Sequence, residues 1–318
     1  MRTATDPAGA ATALVDQLET VIAIPPLPFR AGSFDAEAHR KNMRFLVERN
    51  FLDGGRRRAI GIAGTSLIHH VDEDTLVEAV RIAGEVAGQE AIVIAGLVAT
   101  PPAAARRYVR RCLGLRRAPD FVLLMPIPGV CNAAGIGREF LALARECGER
   151  DGARFLLYMR DATLIQIYAS LLMSSDTIVG VKIGTRAADV ARMRALVPEA
   201  KKVLWGVGDR ATEAASMGAR GHTSGITLVC PRACDEINNA YRREDFARAG
   251  EVEGVVAELE EIRFAEQRAY NYSAVVAAAR LCGFTDVDLG DGGPYNADPP
   301  ADVLSRIAGL VETLKEYH

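Results

Sequence analysis

Two side chains at the ends of apolar segments make this chain a candidate for amine chemistry. Lys182 interrupts the apolar segment "TIVGVKIGT" (residues 177–185), and Tyr158 ends the run "RFLLY" (residues 154–158). Most lysines at strand ends reach water or pair with a carboxylate, which is an ordinary structural role. A lysine held in an apolar pocket instead loses its proton readily, because desolvation disfavours the charged amine. The neutral amine can attack a ketone and form a protonated imine.

Imine chemistry needs two further groups, a proton shuttle and a holder for the substrate carboxylate. The protonated imine withdraws electrons from the neighbouring carbon, so that a C–C bond can break or a proton can leave, and the Tyr158 hydroxyl is a suitable shuttle. The turn "GIAGTS" (residues 61–66) offers the hydroxyls of Thr65 and Ser66 and free backbone N–H groups that suit a 2-oxo acid carboxylate. Gly-Thr-Ser is also a common helix-start turn, so both interpretations stay open.

Eight short apolar runs alternate with amphipathic segments along the chain. The runs are VIAI (21–24), AIGIA (59–63), AIVIA (91–95), FVLL (121–124), RFLLY (154–158), IVGVK (178–182), KVLWG (202–206) and TSGIT (223–227). The first four are typical of parallel strands, which are continuously apolar because both faces are covered. The alternation predicts an α/β protein with a closed (β/α)₈ TIM barrel.

Three further helices are predicted after the eighth run, over residues 245–270, 272–283 and 300–317. No linker rich in Gly, Pro or Ser separates them, so the chain is expected to form one domain, with residues 1–240 as the barrel and 241–318 as a helical extension packed on it. TIM barrels carry their active sites at the carboxyl ends of the strands, where Lys182 and Tyr158 are predicted to lie. Residues two apart on a strand share a face, so Gly180 is expected to leave space below Lys182.

Composition argues against several other classes of protein. The net charge of −3 provides no field for nucleic acid or an anionic membrane, and the basic run at 106–117 is interpreted as a solvated helix face. The longest uncharged run, residues 91–105, is too short and too interrupted by prolines to span a bilayer. The six scattered cysteines suggest reduced thiols and a cytoplasmic protein. Residues 1–19 are interpreted as a loose start leading into a short helix.

No phosphate-binding loop, dinucleotide fingerprint or metal-ligand cluster is recognisable in the sequence, so we expect neither a metal nor an organic cofactor. The closest pair of candidate ligands, Cys230 and Cys234 in "CPRAC", has no matching His/Cys pair elsewhere that would complete a zinc site.

With these segments in place, the sequence resembles the dihydrodipicolinate synthase / N-acetylneuraminate lyase family of class I aldolases over residues 21–314. The segments that carry the resemblance are VIAIPPLPFRAGSFD, AIGIAGTS, AIVIAGL, FLLYMRD, IVGVKIGT and MGARGHTSGITLVCP. The resemblance implies that Lys182 forms the imine, a covalent intermediate that needs no cofactor, and that Tyr158 relays protons. It also implies a small 2-oxo acid as the substrate and a homo-oligomer, either a dimer or a tetramer.

Departures from the family pattern bear on the substrate. Residues 67–70 replace the family's usual glycine and glutamate, and an alternative register would put Ile62 and Ala63 where the hydroxyls of the turn belong. The stretch "MPIPGVCN" lacks the second tyrosine of the synthases, whose later arginine falls at Thr163. Arg160, in "YMR", resembles the Tyr-Asn-Arg stretch of the keto-deoxy-glucarate dehydratases. A role in lysine biosynthesis is therefore not expected.

The remaining candidates for substrate binding are Gly206, His222 and Thr223. His222 and Thr223 fall where family members contact the bound 2-oxo acid, although a structural role is the default for His222, as it is for His69 and His70. For "YNY" (270–272), packing of the extension is the default.

Three functions are compatible with these residues. The first is a Schiff-base-forming lyase or aldolase acting on pyruvate or another 2-oxo acid. The alternatives are a keto-deoxy sugar acid dehydratase of the same family and a non-catalytic relative that binds a small carboxylate.

Overall fold

The computed structural model describes residues 7–318, in which eight parallel strands close into a barrel. Each strand pairs with its neighbours in sequence, and the eighth pairs with the first. The strands are β1 (Val21–Ala23), β2 (Ala59–Ile62), β3 (Ile92–Leu97), β4 (Phe121–Leu124), β5 (Phe155–Met159), β6 (Ile178–Ile183), β7 (Lys202–Trp205) and β8 (Gly221–Ser224). This architecture confirms the predicted (β/α)₈ barrel. A short antiparallel hairpin, Phe29–Arg30 with Ser33–Phe34, follows β1.

Helices surround the barrel, and together with the strands they bury one continuous apolar core. They are α1 (Pro7–Asp16), α2 (Ala36–Glu48), α3 (Glu73–Ala87), α4 (Pro102–Leu113), α5 (Ala133–Leu143), α6 (Ile165–Ser174), α7 (Ala187–Arg194), α8 (Thr212–Ser216) and α9 (Pro231–Arg242). Short 3₁₀ turns cover Gly64–Ser66 and Ala162–Leu164, and a π-helical turn covers Ala144–Glu149. The Asp72 carboxylate accepts from Thr75 N at 2.7 Å and caps the amino terminus of α3.

The eighth strand begins and ends earlier than predicted, at Gly221–Ser224 rather than 223–227. Ser224 Oγ accepts from Ile226 N at 3.2 Å, a local turn that competes with the sheet ladder and takes the chain out of the barrel wall. β5 and β6 instead run one residue further than predicted, and their last residues, Met159 and Ile183, pair with each other.

The extension contains four α-helices where three were predicted. They are α10 (Phe246–Phe264), α11 (Ser273–Cys282), α12 (Ala301–Ala308) and α13 (Val311–Glu316), with a 3₁₀ turn at Glu266–Arg268. The first ends early because left-handed backbone follows it, and the last segment divides near Gly309. The extension contacts the barrel; for example, Tyr272 Oη donates to the Leu27 carbonyl at 2.7 Å. The division of the chain near residue 240 stays a prediction.

Three smaller expectations concern the surface and the start of the chain. The arginines of α4 lie on a solvated face, where they form ion pairs to acidic neighbours: Arg106 to Glu146, Arg107 and Arg111 to Glu73, and Arg110 to Asp151. Among residues 7–318, none of the helices combines the length and apolar character needed to cross a membrane. α1 corresponds to the predicted short helix, whereas the predicted loose start before it lies outside the described residues.

Candidate active site

Lys182 lies on β6 directly opposite Tyr158 of β5 in the strand register. The side chain is only 8% exposed, and its Nζ lies 4.2 Å from the centroid of the Tyr158 ring. Burial lowers the pKa of Lys182 below its ordinary value, and the guanidinium groups of Arg268 and Arg160 lower it further against an opposing effect of Tyr158. A larger fraction of this amine is therefore neutral at a given pH than for a solvated lysine.

Lys202, on β7, shows what a buried lysine with a structural role looks like in this protein. It is 5% exposed, and its Nζ lies 2.8 Å from carboxylate oxygens of both Asp16 and Glu19. Burial opposes its charge, but hydrogen bonds to these two carboxylates leave its pKa raised overall. Among the described residues, Lys182 forms no such ion pair, so the two buried lysines differ in charge compensation rather than in burial.

Gly206, just after β7, provides the space that Lys182 occupies. A Cβ placed on Gly206 would lie 2.7 Å from Cε and 2.8 Å from Cγ of Lys182. The expectation that Gly180 leaves this space was wrong, because a Cβ there would lie 2.5 Å from the Lys202 carbonyl oxygen and 3.1 Å from Leu156. The lysine is therefore accommodated by the neighbouring strand end and not by its own strand.

Replacing Gly206 with alanine should displace the lysine, because the new methyl group overlaps its side chain. We expect Gly206→Ala to slow borohydride-trapped imine formation by about 10²-fold, the order of effect of a misplaced reactive group. Gly254→Ala in α10 is a matched control, because nothing lies within 4 Å of the added Cβ. The control should trap at the wild-type rate and gain about 0.5–1 kcal/mol of stability. Wild-type trapping by Gly206→Ala would contradict this placement of Lys182.

Tyr158 is buried, and its ring packs so closely over Gly184 that a Cβ there would lie 2.5 Å from Cε2. Its Oη accepts a hydrogen bond from Arg268 Nη1 at 3.4 Å. Burial by itself raises the pKa of Tyr158, but the positive charges of Lys182, Arg268 and Arg160 outweigh burial and leave the pKa below its ordinary value. A phenol of lowered pKa beside an amine is well matched to proton exchange with that amine or its adducts.

The two hydroxyls of the Gly64–Ser66 turn face different surroundings. Thr65 lines the cavity above Lys182, and its Oγ1 accepts from Asn271 Nδ2 at 3.3 Å. Ser66 is fully buried, and its Oγ donates to the Pro25 carbonyl at 2.6 Å. Ile62 ends β2, so the hydroxyls of Thr65 and Ser66 follow the strand, and the alternative register with Ile62 and Ala63 in the turn does not apply. Only Thr65 of the predicted pair offers its side chain to a ligand.

Thr223 and His222 likewise point to opposite sides of β8. Thr223 lines the cavity, whereas His222 is fully buried, with Nε2 3.1 Å from Asp209 Oδ1 and Nδ1 3.1 Å from Tyr241 Oη. Successive side chains alternate across a strand, so one of these neighbours must face away. The geometry gives His222 a structural role and does not place it against a substrate.

The two other histidines of interest differ in position. His69 lines the cavity, and burial, with the nearby charges of His70 and Arg160, lowers its pKa. His70 is exposed and packs against Tyr295, with ring centroids 5.1 Å apart.

The extension supplies four cavity residues that sequence patterns did not identify as a site: Arg263, Phe264, Arg268 and Asn271. Arg263 forms an ion pair with Glu260 and donates to Asn271 Oδ1 at 2.7 Å, and Asn271 in turn donates to Thr65. The only signal for this set was the "YNY" segment, of which the central asparagine, and not the tyrosines, reaches the cavity.

The resulting cavity at the carboxyl end of the barrel has a volume of about 160 Å³. Lys182, Tyr158, Thr65, Arg160, Gly206 and Thr223 all line it, together with the residues of the extension. Four of the lining side chains are lysine or arginine and none is acidic. Such a lining suits a small anionic ligand. Within residues 7–318, no group of three or more His, Cys, Asp or Glu side chains is arranged to hold a metal ion.

The closed eight-stranded parallel barrel, with helices after its eighth strand, is a TIM barrel whose mouth contains the lysine–tyrosine pair. Residues 147–289, which include both Tyr158 and Lys182, match the model described as the Dihydrodipicolinate synthetase family. This segment of the chain is similar to that family. No curated protein matches the sequence significantly.

Solved structures similar to this chain include several dihydrodipicolinate synthases. That from Bacillus clausii is 22% identical with a TM-score of 0.84, and the alignment covers 95% of this chain and 99% of that one. That from Oceanobacillus iheyensis is 19% identical with a TM-score of 0.82, covering 96% and 99%. That from Thermotoga maritima is 18% identical with a TM-score of 0.80, covering 93% and 98%. At these identities the likeness concerns the fold.

Proposed function

We propose that this protein is a Schiff-base-forming lyase or aldolase that acts on pyruvate or another 2-oxo acid. Lys182 would be the nucleophile, Tyr158 the proton relay, and the imine with Lys182 the only covalent intermediate. The observation that carries the proposal is the buried amine of Lys182, 4.2 Å from the Tyr158 ring centroid and without a carboxylate partner among the described residues.

The arrangement supports a stepwise reaction. A 2-oxo acid in the cavity would set its carboxylate against Thr65, Thr223 and the backbone near Gly206, with its ketone carbon toward Lys182 Nζ. The neutral amine adds to this carbon, and proton transfer from Tyr158 to the resulting hydroxyl lets it leave as water. The protonated imine then accepts the electron pair of a bond one carbon away, so that a C–C bond breaks in aldol cleavage or a proton leaves. The reverse proton transfers and hydrolysis restore the free lysine.

Trapping with a panel of substrates tests the proposal. Wild-type protein treated with borohydride in the presence of pyruvate or related 2-oxo acids should gain the mass of one reduced adduct on the peptide that contains Lys182. A protein that takes no label from any 2-oxo acid of a broad panel would favour a non-catalytic carboxylate-binding relative. Such a binder has no need for an amine with a lowered pKa beside a proton donor.

Arg160 supports a second candidate within the same chemistry, a keto-deoxy sugar acid dehydratase. It lies at the cavity rim, where it is exposed to solvent, and planar guanidinium groups suit bidentate pairing with a second carboxylate. In that reaction the electrons that collect at the imine would expel a hydroxide one carbon further along the substrate.

Arg160→Lys separates these substrate classes. If Arg160 binds a distal carboxylate, we expect a raised KM for an acidic sugar acid and a much smaller effect on trapping with pyruvate. Loss of a buried charge-assisted contact costs about 1.5–3 kcal/mol of binding free energy. Because Arg160 is exposed to solvent, we expect a cost at or below the lower end of this range. Arg186→Lys is the control, because Arg186 is exposed after β6 and pairs with Asp189. Unchanged kinetics with an acidic substrate would remove the support for the dehydratase.

The proposal also includes a homo-oligomer, dimer or tetramer, in the cytoplasm. Light scattering of the purified protein measures its assembly directly.

A further inference from the structure

We propose that Arg268 of the extension, together with Arg160, forms a second anion-binding subsite, so that the substrate is a 2-oxo acid with a second, distal carboxylate. This inference rests on the proposed function, because it assigns the far end of a substrate whose ketone meets Lys182. It makes Arg268 a specificity-determining residue contributed from outside the barrel.

The backbone that carries Arg268 is in an unusual conformation. Glu266, Gln267 and Arg268 have φ values of 46°, 57° and 75°, in the left-handed region that is unfavourable for residues with a Cβ. None of the three is glycine. Strain of this kind is retained where the surroundings require a particular placement, and it clusters at functional sites. Its result is that α10 stops at Phe264 and Arg268 reaches the cavity.

The Arg268 side chain is held in place but keeps most of its donors. Its guanidinium carbon lies 5.0 Å from the Phe264 ring centroid, and Nη1 donates to Tyr158 Oη at 3.4 Å. Within residues 7–318 it forms no ion pair. An arginine has five N–H donors in a planar fork, and only one of them is used in this contact. The remaining donors are available to a carboxylate.

The charge balance of the cavity points to more than one anionic group on the ligand. Arg263 is neutralised by its ion pair with Glu260, whereas Lys182, Arg160 and Arg268 have no carboxylate partner among the described residues. The acidic residues next in sequence are engaged elsewhere: Glu266 accepts from Tyr270 Oη at 3.4 Å and Asp161 accepts from Thr163 Oγ1 at 2.7 Å. The single carboxylate of pyruvate leaves two guanidinium groups unmatched, and a distal carboxylate would meet them.

Trapping with matched substrates tests the subsite. We would compare 2-oxo dicarboxylic acids of four, five and six carbons with unbranched 2-oxo monocarboxylic acids of the same length, and measure the concentration that gives half-maximal borohydride adduct. For at least one chain length, the dicarboxylic acid should give half-maximal adduct at a concentration about tenfold lower than the monocarboxylic acid does. This difference is the effect expected of one charge-assisted contact. Arg268→Met should reduce this preference to within about threefold, and Arg268→Lys should restore part of it.

Arg210→Met is the matched control. Arg210 also stacks on Phe264, with its guanidinium carbon 4.8 Å from the ring centroid, but it is not among the residues that line the cavity. The control should keep the full preference. Equal half-saturation for every pair in the wild type, or an undiminished preference in Arg268→Met, would overturn the subsite.

A second measurement keeps the subsite separate from the lyase proposal. Calorimetric binding of glutarate and pentanoate requires no imine. If no 2-oxo acid is trapped, the proposed lyase fails, but tighter binding of glutarate that is lost in Arg268→Met still supports the subsite. If no 2-oxo acid is trapped and glutarate also binds no tighter than pentanoate, the proposed subsite is overturned together with the lyase.

Discussion

Lys182→Ala is expected to abolish both the borohydride-trapped adduct and any turnover of the true substrate. The substitution removes the only amine among the described residues that line the cavity, and no neighbouring arginine can replace it, because a guanidinium stays protonated and is not a nucleophile. Lys182→Met fills more of the same space beside Gly206 and should give the same result, which separates loss of the amine from loss of packing. Intact mass and peptide mapping measure the label.

Lys202 is the internal control for this experiment. It is as buried as Lys182 but paired with two carboxylates, so its peptide should carry no adduct. Labelling of Lys182→Ala at the wild-type rate would show that imine formation occurs elsewhere. A normal unfolding temperature for Lys182→Met is needed before loss of label is assigned to chemistry.

The pH dependence of trapping follows from the lowered pKa of Lys182. Only the neutral amine attacks, so the trapping rate at fixed pyruvate should rise with pH as the ammonium deprotonates. Because burial and the nearby guanidinium groups lower this pKa, the rise should level off at a pH below the ordinary lysine value of 10.5.

Tyr158→Phe should lower kcat by about 10²- to 10⁴-fold while imine trapping remains detectable. The phenyl ring keeps the packing against Gly184 and Lys182, whereas the loss of Oη removes the group that moves protons and accepts from Arg268. The expected split between slow turnover and persistent trapping distinguishes a proton relay from a residue that only supports the lysine.

Tyr168→Phe is the matched control for the tyrosine. Tyr168 is equally buried, and its hydroxyl donates to the backbone carbonyl of Tyr158 at 3.3 Å, but it does not line the cavity. Its loss should cost about 1 kcal/mol of stability for one hydrogen bond and change kcat little. Full activity in Tyr158→Phe would mean that another group carries the proton.

Local sequence patterns were sufficient for the barrel and for the central pair of the candidate site. Continuous apolar runs separated by amphipathic helices indicate parallel strands covered on both faces, and eight such alternations favour a closed barrel. The positions of Lys182 and Tyr158 at the ends of adjacent runs then follow from strand order alone. Side chains alternate across a strand, so once the bounds of β8 are known, His222 and Thr223 are predicted to face opposite sides of it.

Contacts between segments far apart in the chain could not be predicted from the sequence, because no periodicity of the sequence encodes them. The space for Lys182 comes from Gly206 just after the next strand, and the cavity roof comes from Arg268 and Asn271, which lie more than eighty residues beyond Lys182 in the chain. Whether an arginine lies on the surface or over a cavity depends on where α10 ends, and α10 ends just before three residues with left-handed backbone. Side-chain burial and charge pairing, which distinguish Lys182 from Lys202, exist only once these segments have come together.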